Sequence, residues 1–269
     1  MNRNPNRAAL GLAAGILVLA VLACGSNAPA QATATSASTP TTQPSPTFTP
    51  VPLYQVVSLV STPTDETGKS PAYTVKAGTP FLQGSDDQRV VNFNNEMSGL
   101  TQEEIAKFRD NARVAVAVPG GGGSTYDQSY KVLSPAGNIL SIKFDILIYI
   151  AGAAHPVSHS RTVTYDLEAG SDVTLDQLFL PNSNYLDLIA NYCSTELGKR
   201  NIDFGANSSG AAPLPENYTN WNVTAQGLLI TFDEYQVAAY VAGPQEVTVP
   251  YSELQSIIDP HGTLKAFLP

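Results

Sequence analysis

The run from Ile139 to Ile150, ILSIKFDILIYI, constrains the fold more than any other segment. Its apolar character is almost continuous and lacks the alternation of a strand that keeps one face in water. It reads as a central strand covered on both faces, so the chain must build a sheet with a layer on either side. Residues 126–134 are expected to pair with it, because Ser134-Pro135-Ala136-Gly137 is a turn sequence. β-Branched and aromatic residues between turn formers predict further strands at 54–62, 71–77, 112–118, 160–167, 219–224, 227–233 and 245–250.

Helical spacing appears in two places. Asp86 to Asp110 carries Val90, Phe93, Met97, Leu100, Ile105 and Phe108, with a break expected near Ser98-Gly99 and a Thr101–Glu104 capping box opening a second piece. Ser183 or Asn184 is expected to cap a helix reaching Leu197. Its residues Tyr185, Leu188, Ile189, Tyr192, Cys193 and Leu197 share one face, and Gly198 follows as a stop. A short helical turn is expected at 173–180, a loop at 201–216, and a last short helix at 252–258 capped by Ser252. The glycines Gly120 to Gly123 lack a following Gly-Lys-Ser/Thr, which excludes a phosphate-gripping loop and suggests a hairpin connection. These elements predict an α+β fold with a largely antiparallel sheet.

The N-terminus carries a different signal. Arg3 and Arg7 precede an apolar run from Ala8 to Ala23, which as a helix would reach ~24 Å, short of the ~30 Å hydrocarbon core. It therefore reads as a signal peptide, residues 1–23. Val21-Leu22-Ala23-Cys24 resembles the bacterial lipobox, which implies cleavage before Cys24 and a lipid anchor on that cysteine. Residues 24–52 are rich in Ser, Thr and Pro and read as an extended stalk between membrane and body. The expected location is the extracytoplasmic side of the cell membrane.

The formal charge of −9 becomes two units more acidic when Arg3 and Arg7 leave with the leader. Such a chain repels phosphate backbones, so no nucleic-acid partner is expected, and a basic protein partner is favoured. With Cys24 lipidated, Cys193 has no disulfide partner and reads as a small buried hydrophobe.

Several spaced motifs lie between 139 and 254. They are Gly152-Ala153-Ala154-His155-Pro156, Tyr165-Asp166-Leu167, Leu175 with Leu178-Phe179, Gly227 to Ile230 through Phe232 and Tyr235, Tyr240 to Gly243-Pro244, and Val247 to Tyr251. In this order they resemble DUF3298, the C-terminal domain of unknown function of the lysozyme-sensing anti-sigma-V factor and many bacterial lipoproteins. Residues 53–150 resemble the companion DUF4163-like domain seen ahead of polysaccharide deacetylases, which leaves 151–269 to the DUF3298-like domain. The resemblance implies an extracytoplasmic module that binds peptidoglycan or a lysozyme-like protein. Only Met1 to Arg7 precede the apolar run, too little for a sigma-binding segment, and no stretch is left for a deacetylase domain.

No catalytic residues, metal ligands or cofactor are expected. His155 and His159 are four apart, but Pro156 opposes a joining helix and no Glu lies between them. His155 is expected to close a corner after the central strand or to touch a ligand. Asp233 and Glu234, as neighbours on a strand, would point to opposite faces and could not share a substrate. The ligand-binding candidates are His155, Tyr235, Tyr240, Gly243, Pro244 and Tyr251, since loop tyrosines give large contact area at low entropy cost. Three classes stay open: a binding module, a cell-wall glycan-modifying enzyme, and an assembly lipoprotein.

Overall fold

The computed structural model describes residues 52–116, 121–133 and 137–265. The expected leader, the expected anchor at Cys24, the expected stalk up to residue 51 and residues 134–136 of the expected turn lie outside them. Six strands form one sheet in chain order: β1 (Ser58–Lys69), β2 (Ala72–Gln83), β3 (Ser124–Val132), β4 (Ile139–Tyr149), β5 (Val157–Asp166) and β6 (Ser171–Asp172). Every pair is antiparallel except β2–β3, which is parallel. A parallel step needs a crossover, and helix α1 (Gln88–Arg113) supplies it. Gly121 to Gly123 therefore end a crossover and do not turn a hairpin. The strand expected at 112–118 is also absent from the described part of that segment. Ala112 is buried in the last turn of α1, while Val114 and Val116 stand 81% and 79% exposed with nothing to pair against.

Helix α1 runs unbroken for 26 residues, against the break expected at Ser98-Gly99. Asp87 caps it by accepting the Arg89 N–H at 2.9 Å. Val90, Phe93, Met97, Thr101, Ile105 and Phe108 are buried at three- and four-residue spacing straight past Gly99. Each large apolar side chain contributes roughly 2 kcal/mol, which outweighs the ~1 kcal/mol cost of one glycine in a helix. The Thr101–Glu104 pair is not a capping box. Thr101 Oγ1 accepts from Thr79 Oγ1 (3.1 Å) and Gln128 Nε2 (3.0 Å), and Glu104 points at His159.

Strand β4 is central, as its composition demands. Ile142, Phe144 and Ile146 join the core beneath α1. Ser141 and Lys143 face the other way and are equally buried. That second face is covered by a smaller antiparallel sheet of β7 (Trp221–Val223), β8 (Gly227–Phe232) and β9 (Gln245–Pro250). Asn222 Nδ2 donates to Ile142 O and Ser141 Oγ, both at 3.0 Å, and Trp221 N–H donates to Thr162 Oγ1 at 3.0 Å. Helices α2 (Tyr185–Gly198) and α3 (Tyr251–Leu254) complete this layer, with Ile189, Cys193, Leu197, Ile230, Phe232 and Val249 in its core. The helix α3 starts one residue before the expected Ser252 cap. The fold is α+β, and no described helix is long and apolar enough to cross a membrane. Strands β4 and β5 pair across residue 150, so the two hydrophobic cores divide between Leu167 and Val173.

Candidate functional site

Strand alternation splits the side chains of the large sheet between α1 and the opposite face. On that opposite face the register sets Asp65, Lys76, Asp127, Leu147 and Ser158 side by side across five strands. The next row holds Ser129, Asp145 and Ser160, and the one after it Lys131, Lys143 and Thr162. The first two rows, with Lys143 from the third, floor a groove of about 600 Å³, and Pro244 from the smaller layer forms part of its wall.

Lys143 is 4% exposed at the deep end of the groove. A buried ammonium needs paired charge, and it meets Asp145 at 3.2 Å together with Glu246 on β9. Lys131 reaches Asp145 at 2.8 Å. Burial works against the Asp145 carboxylate, but the two lysines outweigh it and hold its pKa below the usual range. Toward the open end the row changes character: Asp65, Lys76 and Asp127 are exposed, and Leu147 is 45% exposed beside them.

The structure gathers three of the six ligand candidates into one exposed aromatic cluster. The His155 and Tyr240 rings lie 4.1 Å apart, and Tyr235 stacks on Tyr240 at 5.5 Å and 26°. Tyr240 Oη donates to Pro156 O at 3.1 Å, His155 Nδ1 lies 2.8 Å from the same carbonyl, and Tyr235 Oη lies 3.5 Å from His155 Nε2. His155 thus closes a corner and also presents a ring. The cluster stands beside the groove, because Pro156 is two residues from the groove residue Ser158. Tyr235 sits at φ 66°, a left-handed conformation that turns its ring outward, and it is 55% exposed. Gly243, at φ 63°, makes the bend that delivers Pro244 to the groove wall. Gln245 Nε2 pins this loop by donating to Ala242 O at 2.8 Å.

Tyr251 lies elsewhere. It sits at the opposite end of β9 from Pro244, roughly 20 Å away at strand rise. Its Oη donates to Thr224 O at 2.7 Å, and its ring packs on the second core. Asp233 and Glu234 also depart from expectation. Strand β8 ends at Phe232, so alternation no longer governs them, and both turn to the open edge of β5. Asp233 Oδ1 accepts the Ser160 N–H at 2.8 Å, and Glu234 accepts the Ser158 N–H (3.1 Å) and Oγ (2.5 Å). They satisfy edge donors that a further strand would otherwise take. Burial raises the Asp233 pKa above the ordinary carboxylate value.

His155 and His159 part company as well. His159 lies on the α1 face, where its Nε2 is 3.2 Å from Glu104 Oε2. Among the described residues no group of three or more His, Cys, Asp or Glu could hold a metal ion. Cys193 is fully buried and its thiol pKa is pushed up to about 12 by burial, which leaves it inert at neutral pH. Of the groove residues only Pro244 was among the sequence candidates; the floor residues were not. Their period-two spacing is visible in each strand, but only the parallel β2–β3 register brings Asp65 and Lys76 beside Asp127.

Residues 176–252 match the model of the family described as "Protein of unknown function (DUF3298)". The chain is 30% identical over 176 residues to the peptidoglycan-N-acetylmuramic acid deacetylase PdaC of Bacillus subtilis, a match covering 64% of this chain and 34% of that protein. The chain thus spans about a third of the length of this curated relative. Two crystal structures share the fold. A DUF3298 family member from Bacteroides fragilis superposes with a TM-score of 0.57 at 15% identity, over 76% of this chain and 94% of that one. A DUF3298 family protein from Pseudomonas aeruginosa gives 0.54 at 14%, over 79% and 96%.

Proposed function

We propose that this chain is an extracytoplasmic lipoprotein, tethered to the membrane through Cys24, whose body binds cell-wall glycan without transforming it. The single observation carrying this reading is the aromatic cluster of His155, Tyr235 and Tyr240 standing beside a groove of about 600 Å³ whose lining mixes apolar surface with carboxylates and serines. Sugars present apolar C–H faces and a rim of hydroxyls. Exposed rings suit the first, and carboxylates and serine hydroxyls suit the second. The likeness to a peptidoglycan deacetylase supports a wall-facing role. That match is too long to fit within the DUF3298 region alone, which supports reading the preceding sheet strands as the companion DUF4163-like domain. Along the open edge of β5, beside the groove, Ser158 Oγ donates to Glu234 and the Ser160 N–H donates to Asp233. This bonding docks the turn after β8 onto β5 and engages both carboxylates in structural bonds, which supports a binding role.

A lysozyme-like protein is the second reading, favoured by the formal charge of −9, which would steer a basic partner toward the chain. Co-sedimentation of the full chain with purified peptidoglycan, alongside capture on immobilised lysozyme, separates the two. Peptidoglycan binding that Tyr240→Ala weakens supports the glycan reading. Salt-sensitive capture by lysozyme alone supports the second. Release of product from peptidoglycan, abolished by His155→Ala in a folded protein, would overturn both in favour of an enzyme.

A further inference from the structure

The row at the open end of the groove has a charge pattern that the glycan reading does not by itself require. Lys76 stands in register between Asp65 on one neighbouring strand and Asp127 on the other. Side chains directly opposite on adjacent strands hold their Cβ atoms about 5 Å apart. Even so, none of the three closes an ion pair among the described residues; the ion pairs of this sheet face are those of Lys131 and Lys143 with Asp145 and Glu246. The deep end of the groove is therefore electrostatically complete, while the open end holds two carboxylates against one long, exposed lysine. The local excess is one negative charge, inside a chain that is itself acidic. Leu147 follows in the same row, and the aromatic cluster stands at its far side.

From this juxtaposition we infer that the groove selects glycan whose hexosamines carry unsubstituted amino groups over the N-acetylated form. The inference rests on the glycan reading above and names the chemistry that reading leaves open. A protonated sugar amine set beside Asp127 or Asp65 takes the place that Lys76 only partly fills, and the lysine swings into solvent on its four-carbon stem. The C–H face of that sugar then meets Leu147, and a following sugar of the oligomer reaches the Tyr235–Tyr240 stack beyond β5. An N-acetyl group at the same position would bring a neutral amide to a pair of carboxylates and leave their charge unanswered. A peptide rich in lysine offers the ammonium without the flat C–H face, so the aromatic cluster distinguishes it.

The test uses the full chain in detergent and isothermal titration at a pH where the sugar amine is protonated. The probes are a glucosamine oligomer, its fully N-acetylated counterpart of equal length, and a lysine oligomer of equal charge. The glucosamine oligomer is expected to bind at least tenfold tighter than either of the others. Asp65→Asn with Asp127→Asn should remove that preference, and Lys76→Met should strengthen it severalfold by removing the competing ammonium. Asp110→Asn, a charge loss of the same kind on the exposed side of α1, should leave it unchanged. All four positions are exposed, and far-UV circular dichroism checks that each variant folds. Equal or tighter binding of the N-acetylated oligomer would overturn the amine preference and leave glycan binding standing. Loss of affinity in Lys76→Met, or equal binding of the lysine oligomer, would also overturn it. Failure of both sugar oligomers to bind would overturn this inference and the reading beneath it together.

Discussion

At the scale of single residues, charge pairing decides most of what is unusual here. Glu104 sits in α1 with its side chain 8% exposed, within 3.2 Å of His159, 3.4 Å of Lys107 and 3.6 Å of Arg161. The bond to His159, together with the nearby cations, outweighs burial and lowers its carboxyl to about 2. A depressed carboxyl contributes stability above its unfolded value and loses it as pH falls toward 2. Glu104→Gln should therefore cost about 3 kcal/mol at neutral pH, as expected for breaking a buried ion network, and should flatten the acid limb of a urea-denaturation series between pH 4.5 and 2. Tyr240 acts on the ligand side. Its ring bridges His155 and Tyr235, so Tyr240→Ala should weaken glycan binding about tenfold through lost stacking with little change in Tm. None of this pairing was legible in the sequence, where Glu104 read as half of a capping box. A helix cap and an inward-facing carboxylate share the same local pattern, and only the position of His159 on β5 separates them.

At the scale of elements, composition was legible and connection was not. The double-sided burial of β4 follows from its apolar run, and the β3–β4 pairing from the turn residues between them. The parallel β2–β3 step could not be read, because nothing local distinguishes a crossover from a hairpin when a glycine run ends both. The continuity of α1 was missed for a related reason: Gly99 looked like a break, but the apolar stripe passes it on the solvent side. A Cβ built at Gly99 meets nothing within 4 Å. Gly99→Ala should thus stabilise the protein by about 0.5–1 kcal/mol, seen as a higher midpoint in thermal melts. A melt that falls instead would show that α1 bends there. The candidate site divides along the same line. His155, Tyr235 and Tyr240 were each named as candidates but their meeting was not legible, and Tyr251, named with them, lies elsewhere; the groove floor exists only once five strands are in register.

At the scale of the whole molecule, two layers share β4, and α1 is tied to the far end of the sheet by a carboxyl pair. Glu96 on α1 shares a hydrogen bond with Asp172 on β6; burial first, and then Asp172, push its pKa up to about 8. A carboxyl raised on folding binds more protons in the native state between the unfolded value near 4.5 and 8. Stability should accordingly decline as pH rises through that window. Glu96→Gln should shrink the decline and make the protein more stable than the parent at pH 8; denaturant titrations at pH 5 and pH 8 check the sign. The remaining question of scale is where a ligand sits, since α1 covers one face of the large sheet and the groove opens on the other. Backbone chemical-shift mapping with soluble peptidoglycan fragments addresses this directly. Perturbations are expected to centre on Asp65, Lys76, Asp127, Leu147, Ser158 and Tyr240, with α1 silent. Shifts confined to α1, or none at saturating fragment, would contradict this placement.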